Sequence, residues 1–123
     1  MSDKIELKTK SDLFKEAYKC VNDIDENIKK EYLSFVKKFP VLIAKNGLIS
    51  TLLFIAKKRE NNNAYTKIGL QISKYLSNNE SDLNDLIKRL IIEYNTTEIM
   101  YLTKKSIDFT SCLKEVAEAL LEE

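Results

Sequence analysis

The side chains able to do chemistry in this 123-residue chain are mostly cations. Lys37-Lys38, Lys45, Lys57-Lys58-Arg59 and Lys104-Lys105 stand in short clusters. Such groups can hold phosphates, because each neutralised phosphate releases condensed counterions. Of the 20 basic residues only Arg59 and Arg89 are arginines. Lysine is a point charge, adequate for a phosphate and poor at the bidentate reading of a base. Contact with nucleic acid through these residues would therefore follow the backbone and ignore sequence. The plainer alternative for Lys57-Lys58-Arg59 is a helix end whose positive charge suits the helix dipole. Tyr101, just before Lys104-Lys105, is either a stacking platform for a base or a tyrosine at a core rim with its hydroxyl in water.

Other chemistry is thin. There is no histidine, which removes the commonest general base, the commonest metal ligand and every Ser-His or Cys-His nucleophile. No Gly-rich loop exists to cradle phosphates, and Cys20 and Cys112 are too scattered for a zinc site. Each cysteine falls in an apolar helical stripe and reads as a free buried thiol. Asp82 and Asp85 lie three apart on one helix face. Carboxylates so placed can bind a metal, but acids in a solvated first turn, where the dipole favours them, are the simpler reading. The expectation is a protein that is not an enzyme and uses no metal or cofactor.

The elements that must position the lysines are helices. The chain is long enough for one core and short for two domains. Its net charge is only +1. The charge is uneven: residues 1–62 hold 13 Lys+Arg against 9 Asp+Glu, and residues 63–123 hold 7 against 10. A basic face on one side would follow. The N-terminus MSDKIELKTKSD is too polar for a signal peptide, and Lys45-Asn46-Gly47 cut the longest apolar stretch well short of a membrane span. A cytoplasmic protein is expected.

The stretch Lys37–Arg59 organises the rest. It contains the only proline, Pro40, and one of two glycines, Gly47. A helix through Leu48–Ala56 is apolar on every side except at Ser50 and Thr51, so protein should surround it. Asn46-Gly47 could turn a hairpin, but neither flank alternates apolar and polar. It is read instead as a helix stop with Gly47 left-handed. A helix should end at Phe39, and Pro40 should open a short one. Residues 1–10 read as a loose arm. Ser11 is expected to cap a first helix with stripe Leu13, Ala17, Cys20 or Val21, and Ile24. Asp23-x-x-Glu26 reads as a capping box opening a second helix. Asn61-Asn62-Asn63 and Ser77–Ser81 are loops. Between them lies a helix with Tyr65, Ile68, Ile72, Tyr75 and Leu76 on one side and Gly69 at a close approach. Ser81 should cap a helix with Leu83, Leu86, Ile87, Leu90, Ile91 and Tyr94. Thr96 or Thr97 should cap the last, carrying Ile99, Leu102, Phe109, Leu113, Val116 and Leu120. The expected fold is all-α: a compact single-domain bundle of about five to seven helices over residues 11–123, around a buried central helix.

The order Phe39-Pro40-x-Leu42-Ile43-x-x-Asn46-Gly47-Leu48-x-x-Thr51-Leu52-x-Phe54-Ile55-x-x-Lys58 resembles the signature of the Cmr small subunit of type III-B CRISPR effector complexes. A second block, Tyr101-x-Thr103, Ile107-x-Phe109 and Leu113-Lys114-x-x-Ala117-Glu118-Ala119, fits the same family in order and spacing. Cys112, Glu115 and Val116 depart from it, standing where the family usually has tryptophan, arginine and phenylalanine. Glu115 leaves the last helix less basic than the family pattern.

The resemblance implies a non-catalytic subunit of a crRNA-guided, RNA-targeting complex. It would stack in several copies beside other Cmr subunits and hold the target RNA by its backbone. Lys37, Lys38, Lys45, Lys57, Lys58, Arg59, Lys104 and Lys105 are the candidate RNA contacts. No membrane partner is expected. A helical protein–protein adaptor without RNA contact is the competing reading. A helix-turn-helix DNA binder fits poorly, because Asn46-Gly47 leads into an apolar helix rather than an exposed, arginine-bearing one.

Overall fold

A computed structural model describes residues 9–59, 63–77 and 82–122. Among the described residues there are six α-helices, one 3-10 turn and no strand. They are α1 (Lys10–Asn22), the 3-10 turn (Glu26–Ile28), α2 (Lys29–Asn46), α3 (Leu48–Lys58), α4 (Ala64–Ser77), α5 (Leu83–Ile92) and α6 (Thr96–Leu121). Residues 1–8 of the expected arm, Asn61-Asn62 of the asparagine loop and residues 78–81 lie outside the described residues. Lys10, expected in the arm, opens α1, and Ser77, expected in a loop, ends α4.

Short polar residues set the helix starts. Thr9, not Ser11, opens α1. Its hydroxyl accepts from the Asp12 amide, and the Asp12 carboxylate accepts from the Thr9 amide, each at 3.1 Å. Asp23 does not open a second helix: its amide and that of Ile24 are already donated back to Cys20 and Val21. Asp82, not Ser81, caps α5 by accepting from the Asp85 amide at 2.9 Å, which gives the two acids their role. Asn95, rather than Thr96 or Thr97, caps α6 in a reciprocal pair with Glu98. An asparagine one residue upstream wins because its side chain reaches the third amide of the helix.

α2 runs straight through Pro40, where a break was expected. Tyr32, Phe35, Val36, Phe39 and Ile43 form one continuous buried stripe on both sides of the proline. An internal proline costs about 3 kcal/mol, while each large apolar side chain buried contributes about 1.5–3 kcal/mol. Splitting the helix would misplace part of that stripe, so the helix keeps the proline on its half-exposed side.

Gly47 ends α2 and starts α3 at one residue. Its backbone sits at φ +89°, ψ 161°, a region open essentially to glycine alone and distinct from the left-handed helical one expected. Its amide donates to the Ile43 carbonyl at 2.8 Å. Its own carbonyl accepts from the Thr51 amide at 3.2 Å and the Thr51 hydroxyl at 2.8 Å. Thr51 is therefore buried without an unsatisfied group.

α3 is central, touching α2, α4, α5 and α6. Leu48, Thr51, Leu52 and Ile55 are buried. It is not covered all round, however: Leu53 and Phe54 are 42% and 39% exposed. Gly69 on α4 is the close approach expected, since a Cβ there would meet Leu83 Cδ2 at 3.0 Å and Ile55 Cγ2 at 3.6 Å. Along the bundle, the Tyr32 hydroxyl donates to Gln71 at 2.7 Å and Gln71 donates to the Cys20 carbonyl at 3.1 Å, tying α2, α4 and α1. α6 packs its second half on α2 and α1. Its buried Ser106 and Thr110 return their hydroxyls to the carbonyls of Leu102 and Ser106.

Candidate nucleic-acid interface

The eight candidate cations fall into two groups. Lys38 and Lys45, seven apart, share one exposed side of α2, and Lys37 lies about 100° round the helix from Lys38. Lys57, Lys58 and Arg59 end α3. Gly47 folds these two helices against each other, with the Phe35 ring of α2 stacked on the Phe54 ring of α3 at 6.1 Å. Lys104 and Lys105 stand elsewhere, on α6.

Their partners differ. Lys37 is paired with Glu122 at the end of α6, and that hydrogen bond holds its ammonium above the usual lysine range. Lys104 lies 3.5 Å from Asp108, an exposed pair worth at most about 1 kcal/mol. The Arg59 guanidinium donates to the Asn84 carbonyl oxygen at 2.7 Å. Lys58 lies over the Phe54 ring at 5.7 Å, and Lys105 lies between the rings of Tyr75 and Tyr101 at 5.3 and 6.0 Å. Among the described residues, Lys38, Lys45 and Lys57 have no ion pair. Tyr101 is exposed, and Lys105 rather than a core residue covers its ring.

Two features of the α2–α3 corner were not read from the sequence. From Tyr32 to Arg59 the chain carries six cations and no Asp or Glu. A running count of charge by segment, rather than by halves, would have found this. The second is a cleft of about 380 Å³ between α2 and α3, lined by Leu42, Asn46, Ser50, Thr51 and Phe54. The partly exposed Phe54 forms one of its walls, which the expectation of a fully covered helix hid. Phe54 is held in place by Phe35, stacked at 6.1 Å, and by Tyr65, edge-on at 6.1 Å.

A second exposed apolar surface lies where α5 gives way to α6. Ile92 and Met100 are 69% and 66% exposed, with Ile91 and Tyr101 also open. Ile91 was expected in the buried stripe of α5. That stripe is satisfied by Leu83, Leu86, Ile87 and Leu90, and Ile91 falls outside its arc. Leu120, expected in the stripe of α6, is likewise exposed.

Both cysteines are free. Burial pushes the Cys20 thiol up to about 12, with Glu16 and Asp23 adding to it, and burial also raises Cys112. Such thiols are poor nucleophiles near neutral pH. Among the described residues no three metal-ligating side chains gather, and no helix is long and apolar enough to cross a membrane.

Comparison with known proteins agrees with the signature read from the sequence. The pattern of the family described as CRISPR-associated protein (Cas_Cmr5) matches residues 10–120, extending well upstream of the Phe39 block. The fold is similar to the crystal structure of a CRISPR-associated Cmr5 family protein from Thermus thermophilus. That likeness has a TM-score of 0.78 and 25% identity, covering 94% of this chain and 100% of the other.

Proposed function

The chain belongs to the Cmr5 family of CRISPR-associated proteins, and from that premise we propose that it is a non-catalytic subunit of a crRNA-guided Cmr ribonucleoprotein that holds target RNA by its backbone. The observation that supports the RNA contact is the acid-free segment from Tyr32 to Arg59, which turns at Gly47 and carries six cations on two adjoining helices. Lys38, Lys45, Lys57 and Lys58 are the principal phosphate contacts. Lys37 and Arg59 contribute less, being engaged by Glu122 and Asn84. Lys104 and Lys105, on α6, extend the contact where the strand passes. With a net charge of only +1, binding by one copy is weak. It becomes useful when several copies stack along one strand and their contacts add.

Stacking and docking on other Cmr subunits are assigned to the apolar surface of Ile91, Ile92, Met100 and Tyr101. Head-to-tail stacking requires two unlike patches on each copy, and the two exposed corners differ in the way such an interface needs. The adaptor reading draws on this same surface and leaves RNA out.

The experiment is co-expression of the tagged chain with the remaining Cmr subunits and a guide RNA. Co-elution of subunits and RNA, with target RNA crosslinking to peptides from residues 32–59, is expected. Co-elution of subunits with crosslinks confined to other chains favours the adaptor. A chain that elutes alone contradicts both.

A further inference from the structure

We propose that the cleft between α2 and α3 receives one unpaired nucleobase of the RNA strand whose phosphates lie on Lys38, Lys45 and Lys57. This rests on the backbone-contact reading above and adds to it a specific pocket for the base.

The shape comes first. At about 380 Å³ the cleft sits at the small end of small-molecule sites, which run from about 300 to 1,000 Å³. It suits one planar heterocycle. An amphipathic protein helix would need a groove long enough for anchors spaced over two turns, and five lining residues do not supply it.

The chemistry of the lining points the same way. Leu42 and the Phe54 ring offer apolar and aromatic walls. That ring is fixed from behind by Phe35 and Tyr65, so a base packing on it orders nothing new. Asn46 supplies amide donors and a carbonyl acceptor, and Ser50 a hydroxyl that does both, all suited to the edge of a base. The Thr51 hydroxyl is already donated to Gly47 and acts as floor.

Charge supplies the third argument. Lys45 precedes Asn46, Lys38 stands one turn before Leu42, and Lys57 one turn after Phe54. The two helices that form the cleft carry no carboxylate between Tyr32 and Arg59 to repel a phosphate. Lys58, now over the Phe54 ring, is exposed and long enough to swing to a phosphate when a base takes the ring. Stacking on a fixed ring tolerates any base, which agrees with lysine contacts that do not read sequence.

The test is an NMR titration of the full chain with AMP, with UMP and with ribose 5-phosphate, which carries the same phosphate and no base. AMP should shift the Asn46 side-chain amide, the Ser50 amide and the Phe54 ring, and bind about fivefold or more tighter than ribose 5-phosphate. Ser50→Phe, at an exposed position, should fill the cleft and abolish that preference while leaving the ribose 5-phosphate response. If all three ligands bind alike and move only amides near the lysines, the base pocket is wrong and the phosphate contact stands. If none binds, both readings fail. If an acidic amphipathic peptide moves Asn46 and Phe54 where AMP does not, the cleft is a protein-docking site and the proposal is overturned.

Discussion

Two corners of this molecule expose apolar side chains, and they are built differently. At the α2–α3 corner one glycine joins the helices, with φ +89° and both neighbours bonded through it. The segment that forms it, Tyr32–Arg59, carries six cations and no acid, and Glu122 of α6 reaches across to pair with Lys37. At the α5–α6 corner Glu93-Tyr94-Asn95 make the connection, and the Asn95–Glu98 pair caps the second helix. The surface there is mixed in sign, with Arg89, Glu93, Glu98 and Lys104 around Ile91, Ile92, Met100 and Tyr101. Apolar exposure alone does not say what a surface binds. On the function proposed above, the first corner, where Lys38, Lys45 and Lys57 have no ion pair among the described residues, takes phosphate, and the mixed-sign apolar surface takes protein. The difference also lies in rigidity. A glycine-only backbone fixes the first corner, whereas side-chain caps hold the second.

Substitutions that break each corner should rank accordingly. Gly47→Val should be the most destabilising, because a β-branched residue at φ +89° is strained by about 1–3 kcal/mol although a Cβ would meet nothing within 4 Å. Gly47→Asn should not rescue it, since asparagine tolerates the left-handed helical region rather than this one. Asn95→Ala should cost about 1 kcal/mol through the lost cap. Gly69→Ala should be near neutral, a gain in helix propensity of about 1 kcal/mol offset by the 3.0 Å approach to Leu83 Cδ2. Urea midpoints of the four variants check the order, and equal midpoints for Gly47→Val and Gly69→Ala would remove the structural distinction.

The protein-facing corner is broken by charge. Ile92→Asp with Met100→Asp should weaken assembly with other subunits or copies about tenfold or more, because a carboxylate would be buried in an apolar contact without a partner. Both positions are exposed, so the fold should be unaffected. Size-exclusion of the reconstituted complex reads the outcome, and unchanged assembly would move the protein contact elsewhere.

The smallest effect lies away from both corners. The Cys20 thiol is raised from 9.0 to about 12, chiefly by burial. Between those values the unfolded chain has lost the proton that the folded chain keeps, so stability falls as pH rises through this window. Cys20→Ala should lessen the fall relative to the wild type, and identical pH profiles would show that the thiol does not titrate differently on folding.

The sequence was most informative where apolar spacing and a special residue coincide. Helix count and type followed from the 3.6-residue stripes, and the Gly47 stop and Gly69 approach from the two glycines. Pro40 misled because local propensity was weighed without the Tyr32–Ile43 stripe that spans it. The caps shifted by one or two residues because several Ser, Thr, Asn and Asp compete at each start, and only geometry chooses among them. The candidate lysines could be named, but not grouped. That the α2 lysines and the α3 lysines stand on two helices that share a cleft depends on how α3 folds back at Gly47, and that Lys37 meets Glu122 depends on a contact between positions 85 residues apart.

The central claim is that the α2–α3 corner holds RNA through phosphates. Its most direct test is a salt titration of target-RNA affinity in the reconstituted complex, with two unrelated target sequences. Wild type is compared with Lys57→Ala/Lys58→Ala/Arg59→Ala. Each lost phosphate contact on a single strand removes about 0.7 from the slope of log affinity against log salt. The triple variant should flatten that slope by about one to two units for both sequences alike, with helicity little changed. An unchanged slope, or a loss confined to one sequence, would contradict the account.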